Sequence, residues 1–459
     1  MERIINEINN AAQKFKKISD KHSRIRILTH YDSDGITSGA ILSRALQRAD
    51  CNFHTSIVKL LENKIIEQVR EEKNWDILFI LDLCGDLESI KKIERPVFIL
   101  DHHETEKTDL PENITLVNPF LINKAEEISG AGLAYLFSKG LDEHNKDLSQ
   151  LAIVGMIGDI LAERISKIYN FILNDSDAIV RRDLPLLNST KPLHKALEFS
   201  SSLFIPRVTG SSDGAIDLMR EIGIKPSSDV TLLTLNKEEL KGLITAIILR
   251  RIEKMGAGAE SILGNVYILN FFNRLEDGRE MSSLLNACGR LDYGDVALTL
   301  CMGCEKSKQE AERIYEDYKK YLIESLNYVK NFKERLKGEG YVIYNCKNAV
   351  KDSIIGTVIS ILSLNELFPA GDIIVGMAYR EDEKIKVSAR ISRNRQDIKK
   401  NEINLKELLC KVCADIIDKR EGEFGGHSNA AGCLIPANKE DIFITALEKE
   451  LIQRQIKLS

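Results

Sequence analysis

Three short apolar runs near the start of the chain each end on an acid or a histidine. Ile25-Arg26-Ile27-Leu28-Thr29-His30 continues into Asp32 and Asp34, Ile77 to Leu81 ends in Asp82, and Val97 to Leu100 ends in Asp101-His102-His103. Such runs match buried parallel strands. Helical patterns over Ile36 to Ala49 and Ile65 to Glu72 lie between them, as crossovers of a parallel sheet require. Open α/β sheets place ligands beyond the carboxyl ends of their strands, so these acids and histidines are expected on one rim. A fourth apolar run, Leu151 to Gly158, ends in Asp159. Its Gly155 and Gly158 allow close backbone approach just before the carboxylate.

From about Asp175 to Asp277 the periodicities mix and Pro, Gly and Ser become more frequent, which reads as an insertion on a catalytic core. Phe204-Ile205-Pro206 and Gly210 to Gly214 read as loops, Ala215 to Ile222 and Lys237 to Met255 as helices. Glu305 to Leu336 has no Gly or Pro and carries apolar residues at helical spacing, predicting one long helix, a strut between two lobes, stopped by Lys337-Gly338-Glu339-Gly340. Alternation resumes with strand Tyr341 to Asn345, helix Ser353 to Leu367, strands Asp372 to Tyr379 and Lys384 to Ile391, and a helix around Leu405 to Ile417. The glycine-rich Gly425 to Gly432 then leads into Cys433 to Ile435. The expected architecture is a two-lobed α/β protein. Residues 1–304 form a parallel-sheet catalytic domain with the insertion, 305–337 a connecting helix, and 338–459 a smaller α/β domain.

At 459 residues the chain is too long for one ordinary core. Its 43% apolar and 29% charged content is that of a globular enzyme. No apolar run reaches the roughly 18 residues of a membrane span. The charged-apolar alternation of Met1 to Glu7 is unlike a signal peptide. Nine cysteines without such a signal read as reduced thiols in a cytoplasm. Cys301/Cys304 and Cys410/Cys413 form two CxxC pairs, too far apart for an ordinary zinc site, and read as core cysteines. Absence of a P-loop and of GxGxxG excludes a nucleotide-triphosphate motor. A net charge of −5 gives no general attraction to nucleic acid, so a local basic groove and bound metals would have to supply it.

Carboxylates crowded on one rim repel one another unless cations or shared protons compensate. The mixture of Asp and His suits Mn²⁺ or a similar ion, with donors enough for two, and points to a dinuclear metal phosphoesterase. Elsewhere, Lys384, Lys386, Ser388 and Arg390 share one face of a strand by period two, with Arg393 and Arg395 beyond. They are either a solvated edge or a grip on backbone phosphates. Gly425 and Gly426 with His427 are either a tight turn or a phosphate cradle, and a turn alone has no need of His427. Arg290, after Gly289, is a further phosphate contact.

In order, His30-x-Asp32-x-Asp34-Gly35, Asp82, Asp101-His102-His103 and Gly158-Asp159 resemble the four motifs of the DHH phosphoesterase superfamily. Gly425-Gly426-His427-x-x-Ala430-Ala431-Gly432 resembles the loop of its associated C-terminal domain. Asn286-Ala287-Cys288-Gly289-Arg290 is similar to a segment of RecJ-type single-strand exonucleases, above all the archaeal group that includes the GINS-associated nucleases. The resemblance implies two divalent ions, Mn²⁺ preferred, with Mg²⁺ or Co²⁺ as alternatives. Asp82 would bridge them, Asp32 and His30 would complete one, and Asp34, His102 and Asp159 the other. Asp101 would orient a metal-ligating histidine without itself binding metal, and His103 would stabilise phosphate charge or protonate the leaving oxygen. Asn286, Arg290, Ser388, Arg390, Gly425, Gly426 and His427 would bind substrate. The implied activity is exonucleolytic hydrolysis of single-stranded DNA or RNA in replication or repair, with a GINS complex as a partner. The alternatives are a phosphodiesterase of oligoribonucleotides or cyclic dinucleotides, and a GINS-binding replication scaffold. The insertion departs from bacterial RecJ and leaves polarity and sugar preference open.

Overall fold

A computed structural model of the chain describes all residues except 84–86, 106, 123–126, 164, 187–188, 201–202, 204, 256–261, 272, 333, 365–367, 370, 393–403, 415, 417–422 and 459. It divides into two compact units, Met1–Tyr315 and Glu316–Ser459.

The first unit is built on five parallel strands: β1 (Arg24–His30), β2 (Asn52–Val58), β3 (Ile77–Leu81), β4 (Val97–Leu100) and β5 (Ile114–Val117). Their order is β2-β1-β3-β4-β5. Because β1 and β3 are neighbours while β2 lies outside β1, the winding reverses between β1 and β3. Alternation along the strands sends residues to two cores. Ile25, Ile27, Phe79, Leu81, Phe98 and Leu100 pack with helices Glu2–Ile18, Ser33–Arg48 and Gly130–Leu141. On that side Phe15, Phe79, Phe98 and Phe137 interlock, with Phe79 and Phe98 stacked at 5.0 Å and Phe15 edge-on to Phe79 at 5.3 Å. Leu28, Leu78, Ile80, Val97 and Ile99 face the other way, onto Ile66, Val69, Trp75 and Ile90. Burying both faces explains why the strand runs are uniformly apolar.

The insertion has a core of its own, including Leu184, Leu197, Leu218 and Leu243. A three-stranded sheet, Ile179–Asp183, Gly264–Phe271 and Arg274–Asp277, stands at its base. Gly210 to Gly214 is not all loop: a helix begins at Ser212, capped by the Ser211 hydroxyl, which accepts the Gly214 N–H at 3.0 Å.

The long helix is shorter than its pattern suggests. It spans Lys306–Asn331, and Leu336–Gly338 instead forms a strand antiparallel to Tyr341–Asn345. Gly340, at φ +71°, lets the chain reverse there, so sheet pairing takes residues that helical periodicity alone would have kept. In the second unit the strand order is Glu423–His427, Ala430–Pro436, Lys384–Ile391, Ile373–Tyr379, Tyr341–Asn345, Leu336–Gly338. Helices Leu405–Ala414 and Glu440–Leu458 cover one face of this sheet, with Leu408 and Phe443 in one core with Val375 and Val387. Helix Asp352–Leu364 lies on the other, close to Gly376 and Ser388.

Candidate metal centre

The residues that close β1, β3 and β4 meet where the winding reverses. Asp32 is the N-cap of helix Ser33–Arg48, its carboxylate accepting the Gly35 N–H at 3.0 Å. Asp34, in the first turn, is buried and accepts the N–H groups of Gly130 at 2.6 Å and Ala131 at 3.0 Å. Those amides begin helix Gly130–Leu141, where the dipole favours a negative partner. Asp82 leaves β3 at φ +54° and is buried. Asp159 caps the far end of helix Ser149–Gly158. A Cβ on Gly155 would stand 2.4 Å from Asp34 Oδ1, and one on Gly130 would stand 2.6 Å from Asp82 Cβ. Both glycines are therefore required for helices to approach the acids this closely.

Asp82 faces two groups at once. On one side His30 Nδ1 lies 3.0 Å from Asp32 Oδ2 and 3.7 Å from Asp82 Oδ2. On the other, His102 Nε2 lies 3.1 Å from both Asp82 Oδ1 and Asp159 Oδ2, and 3.7 Å from Asp34 Oδ2. His30, Asp32 and Asp82 form one set of convergent donor atoms, and Asp34, His102 and Asp159 another; Asp82 also groups with His102 and His103. Despite these short separations, His30 Nδ1, Asp82 Oδ1 and Asp159 Oδ2 are buried without a hydrogen-bond partner among the described residues. Buried polar atoms are rarely left so. Oxygen and imidazole donors aimed at common points, and not at each other, fit divalent cations.

The electrostatics agree. Burial, reinforced by the Asp82 charge, raises the Asp34 carboxyl to about 7. Burial and the Asp34 charge likewise push Asp159 well above the ordinary carboxylate range. For Asp82 burial acts upward too, but the neighbouring His102 and His30 imidazoles overcome it and hold the acid below its usual range. Burial opposes charge on His30 and His102, yet the neighbouring carboxylates raise both well above the ordinary imidazole value.

Asp101 is buried and binds His103, Oδ1 to Nδ1 at 2.8 Å, and the Asn118 side chain donates to the His103 carbonyl at 2.9 Å. The histidine that Asp101 orients is thus the half-exposed His103, whose other ring nitrogen has no hydrogen-bond partner among the described residues. Asn286 supplies its side-chain oxygen to the Ser33 N–H at 3.0 Å, between the two acids of the first motif. Gly289 has a steric reason: a Cβ there would lie 1.8 Å from the Tyr31 carbonyl oxygen. Arg290 ends the same helix, Gly278–Arg290, half-buried.

In the second unit, Ser388 is buried and Arg390 donates from Nε to Ser360 Oγ at 3.0 Å and from Nη1 to the Ala389 carbonyl at 2.8 Å. Their strand is flanked on both sides, so Lys384, Lys386, Ser388 and Arg390 are not at a sheet edge. Gly425 and Gly426 are not a tight turn but strand residues paired with Gly432 and Ala431; the reversal falls at Ser428 and Asn429. The side chain of His427, and Arg393 and Arg395 altogether, lie outside the described residues. Among the cysteines, Cys304 is exposed and not in a core, whereas Cys413 is buried 3.8 Å from Cys433. The Gly130 and Ala131 amides were not foreseen. Ser129, accepting the Gly132 N–H at 3.2 Å, is an N-cap ahead of Gly-Ala-Gly and was the available signal.

Comparison with known proteins identifies this arrangement. Residues 24–158 match the DHH family N-terminal domain, 188–264 the DHH-CID domain and 338–453 the DHHA1 domain. The chain belongs to the DHH family. With that membership comes a class of chemistry, the hydrolysis of phosphoester bonds. The DHH protein is 29% identical to an uncharacterized protein of Methanocaldococcus jannaschii over the whole of both chains. It is 23% identical to the single-stranded-DNA-specific exonuclease RecJ of Bacillus subtilis over 95% of its own length and 46% of that protein. Its fold is that of RecJ from Thermus thermophilus, solved in complex with Mn²⁺, at TM-score 0.58 and 19% identity over 97% of this chain and 55% of that one. It is also that of CDC45 from Entamoeba histolytica, at TM-score 0.62 and 14% identity over 97% and 98%. The DHH protein spans about half the length of these RecJ relatives.

Proposed function

We propose that this DHH protein is a metal-dependent exonuclease of single-stranded nucleic acid, with a dinuclear site that prefers Mn²⁺ and a role in DNA replication or repair. One observation carries the reading: His30, Asp32 and Asp82 converge as one set of donors and Asp34, His102 and Asp159 as another, with Asp82 Oδ1 3.1 Å from His102 Nε2 and buried polar atoms left unpartnered among the described residues. His30, Asp32 and Asp82 would hold one ion, and Asp34, His102, Asp159 and the same Asp82 the other. Bound ions of this kind make a nucleophile from water at neutral pH and offset phosphate charge. The chain's own groups do the rest. Asp34 keeps its place through the Gly130 and Ala131 amides, so its oxygens need not reorganise when substrate arrives. His103, oriented by Asp101, presents its free ring nitrogen to a phosphate oxygen or hands a proton to the leaving oxygen. Asn286, Arg290, Ser388, Arg390 and the Gly425-Gly426-His427 strand end are the proposed contacts with the strand.

The complete donor set favours catalysis over a purely structural role in a replication assembly; binding of a GINS complex is compatible with either. The test is digestion of end-labelled DNA and RNA oligomers, single- and double-stranded, with Mn²⁺, Mg²⁺ or a chelator. Stepwise shortening of single strands that stops with the chelator is expected. Cleavage of dinucleotides alone would replace the exonuclease by a small-substrate phosphodiesterase.

A further inference from the structure

Ile160 sits oddly beside the metal centre. It directly follows Asp159, and at 77% exposure it is the most exposed large apolar side chain among the described residues. Its φ is +61°, in the left-handed region. A β-branched residue is a poor occupant there because its Cβ crowds the backbone carbonyl; Gly, Asn or Asp fit better. Neither the exposure nor the conformation benefits folding. The conformation is imposed from both sides. The Ile160 N–H donates to the Ile157 carbonyl at 3.1 Å, while the Ala162 carbonyl accepts from Asn265 Nδ2 at 3.0 Å and the Tyr267 hydroxyl at 2.7 Å. Strain held in place by its surroundings next to a functional group is where a ligand contact is to be sought.

We propose that Ile160 is the apolar contact for the unpaired base adjoining the scissile phosphate, which rests on the exonuclease reading above and names what its site grips. Every base has a non-polar face, and an aliphatic side chain meets it without reading hydrogen bonds. The contact therefore tolerates any base identity. It also disfavours a base inside a duplex, whose two faces are covered by its own stack.

The test compares wild type with Ile160→Asn and Ile160→Met. Single-strand binding is followed by fluorescence anisotropy with Ca²⁺ in place of Mn²⁺, and thermal unfolding is recorded for each protein. Asn suits the left-handed backbone, so the melting temperature should not fall, yet strand affinity should weaken about five-fold, the worth of one modest apolar contact. Met, which restores apolar area, should bind within about two-fold of wild type. The ratio of kcat/KM for an oligonucleotide to that for bis(4-nitrophenyl) phosphate should fall with the binding loss in the Asn variant. Unchanged affinity in Ile160→Asn, or a lowered melting temperature that accounts for the loss, overturns the role of Ile160 and leaves the exonuclease reading standing. Failure of the wild type to bind or cut any single strand overturns both.

Discussion

Asp82 carries the heaviest demand of any residue, since its two oxygens serve different neighbours at 3.7 and 3.1 Å. Asp82→Asn keeps the shape but removes the shared charge. Hydrolysis should fall on the order of 10³-fold, beyond the roughly 10–100-fold typical of a supporting hydrogen bond. Rates on a single-stranded oligomer, alongside a circular-dichroism spectrum to verify folding, check this; activity near wild type would remove the bridging role. Asp101→Asn should instead cost about 10–100-fold, because it disturbs only the orientation of His103. The acids were legible in the sequence because each one interrupts an apolar run, a local contrast. Asn286 was legible as a functional residue, but its contact with Ser33 was not. That contact joins positions 253 residues apart, and no local pattern encodes such a partner.

Among elements, helix Gly278–Arg290 closes over the first motif through Asn286 and Gly289. Adding a Cβ at Gly289 would overlap the Tyr31 carbonyl, a backbone atom that cannot rotate away. Gly289→Ala should therefore destabilise the first unit by about 1–3 kcal/mol or more, seen as a lower denaturant midpoint. Asn286→Ala, which strips the buried Ser33 N–H of its acceptor, should cost about 1–3 kcal/mol and weaken Mn²⁺ binding as well. Equal stability in both variants would mean the helix does not clamp the motif. Strands β1, β3 and β4 were readable because burial on both faces leaves almost no choice of residue. The end of the long helix was not, since Leu336 continues the helical spacing as well as it pairs across the hairpin. Pairing with Ile343 decided the matter.

For the whole molecule the decisive variable is protonation of the unliganded centre. Asp34 titrates at about 7 through burial and the Asp82 charge, and Asp159, His30 and His102 are also raised, by the causes given above. An incoming cation must displace these protons, so its affinity rises with pH across neutrality. About ten-fold per pH unit is expected for each proton released. Calorimetry of Mn²⁺ binding at pH 6, 7 and 8 measures this, and a flat profile would deny that these groups are ligands. Because only the folded chain has the site, Mn²⁺ should also raise the melting temperature, more at pH 8 than at pH 6.

The reach from Ser33 to Asn286 also bears on synthesis. A ribosome releases the acidic motif early, yet the residue that fastens it appears only after the entire insertion has been translated. Any nascent or truncated product ending before residue 286 has the acids without their clasp. The first motif is therefore fixed in place only once the first unit is nearly whole.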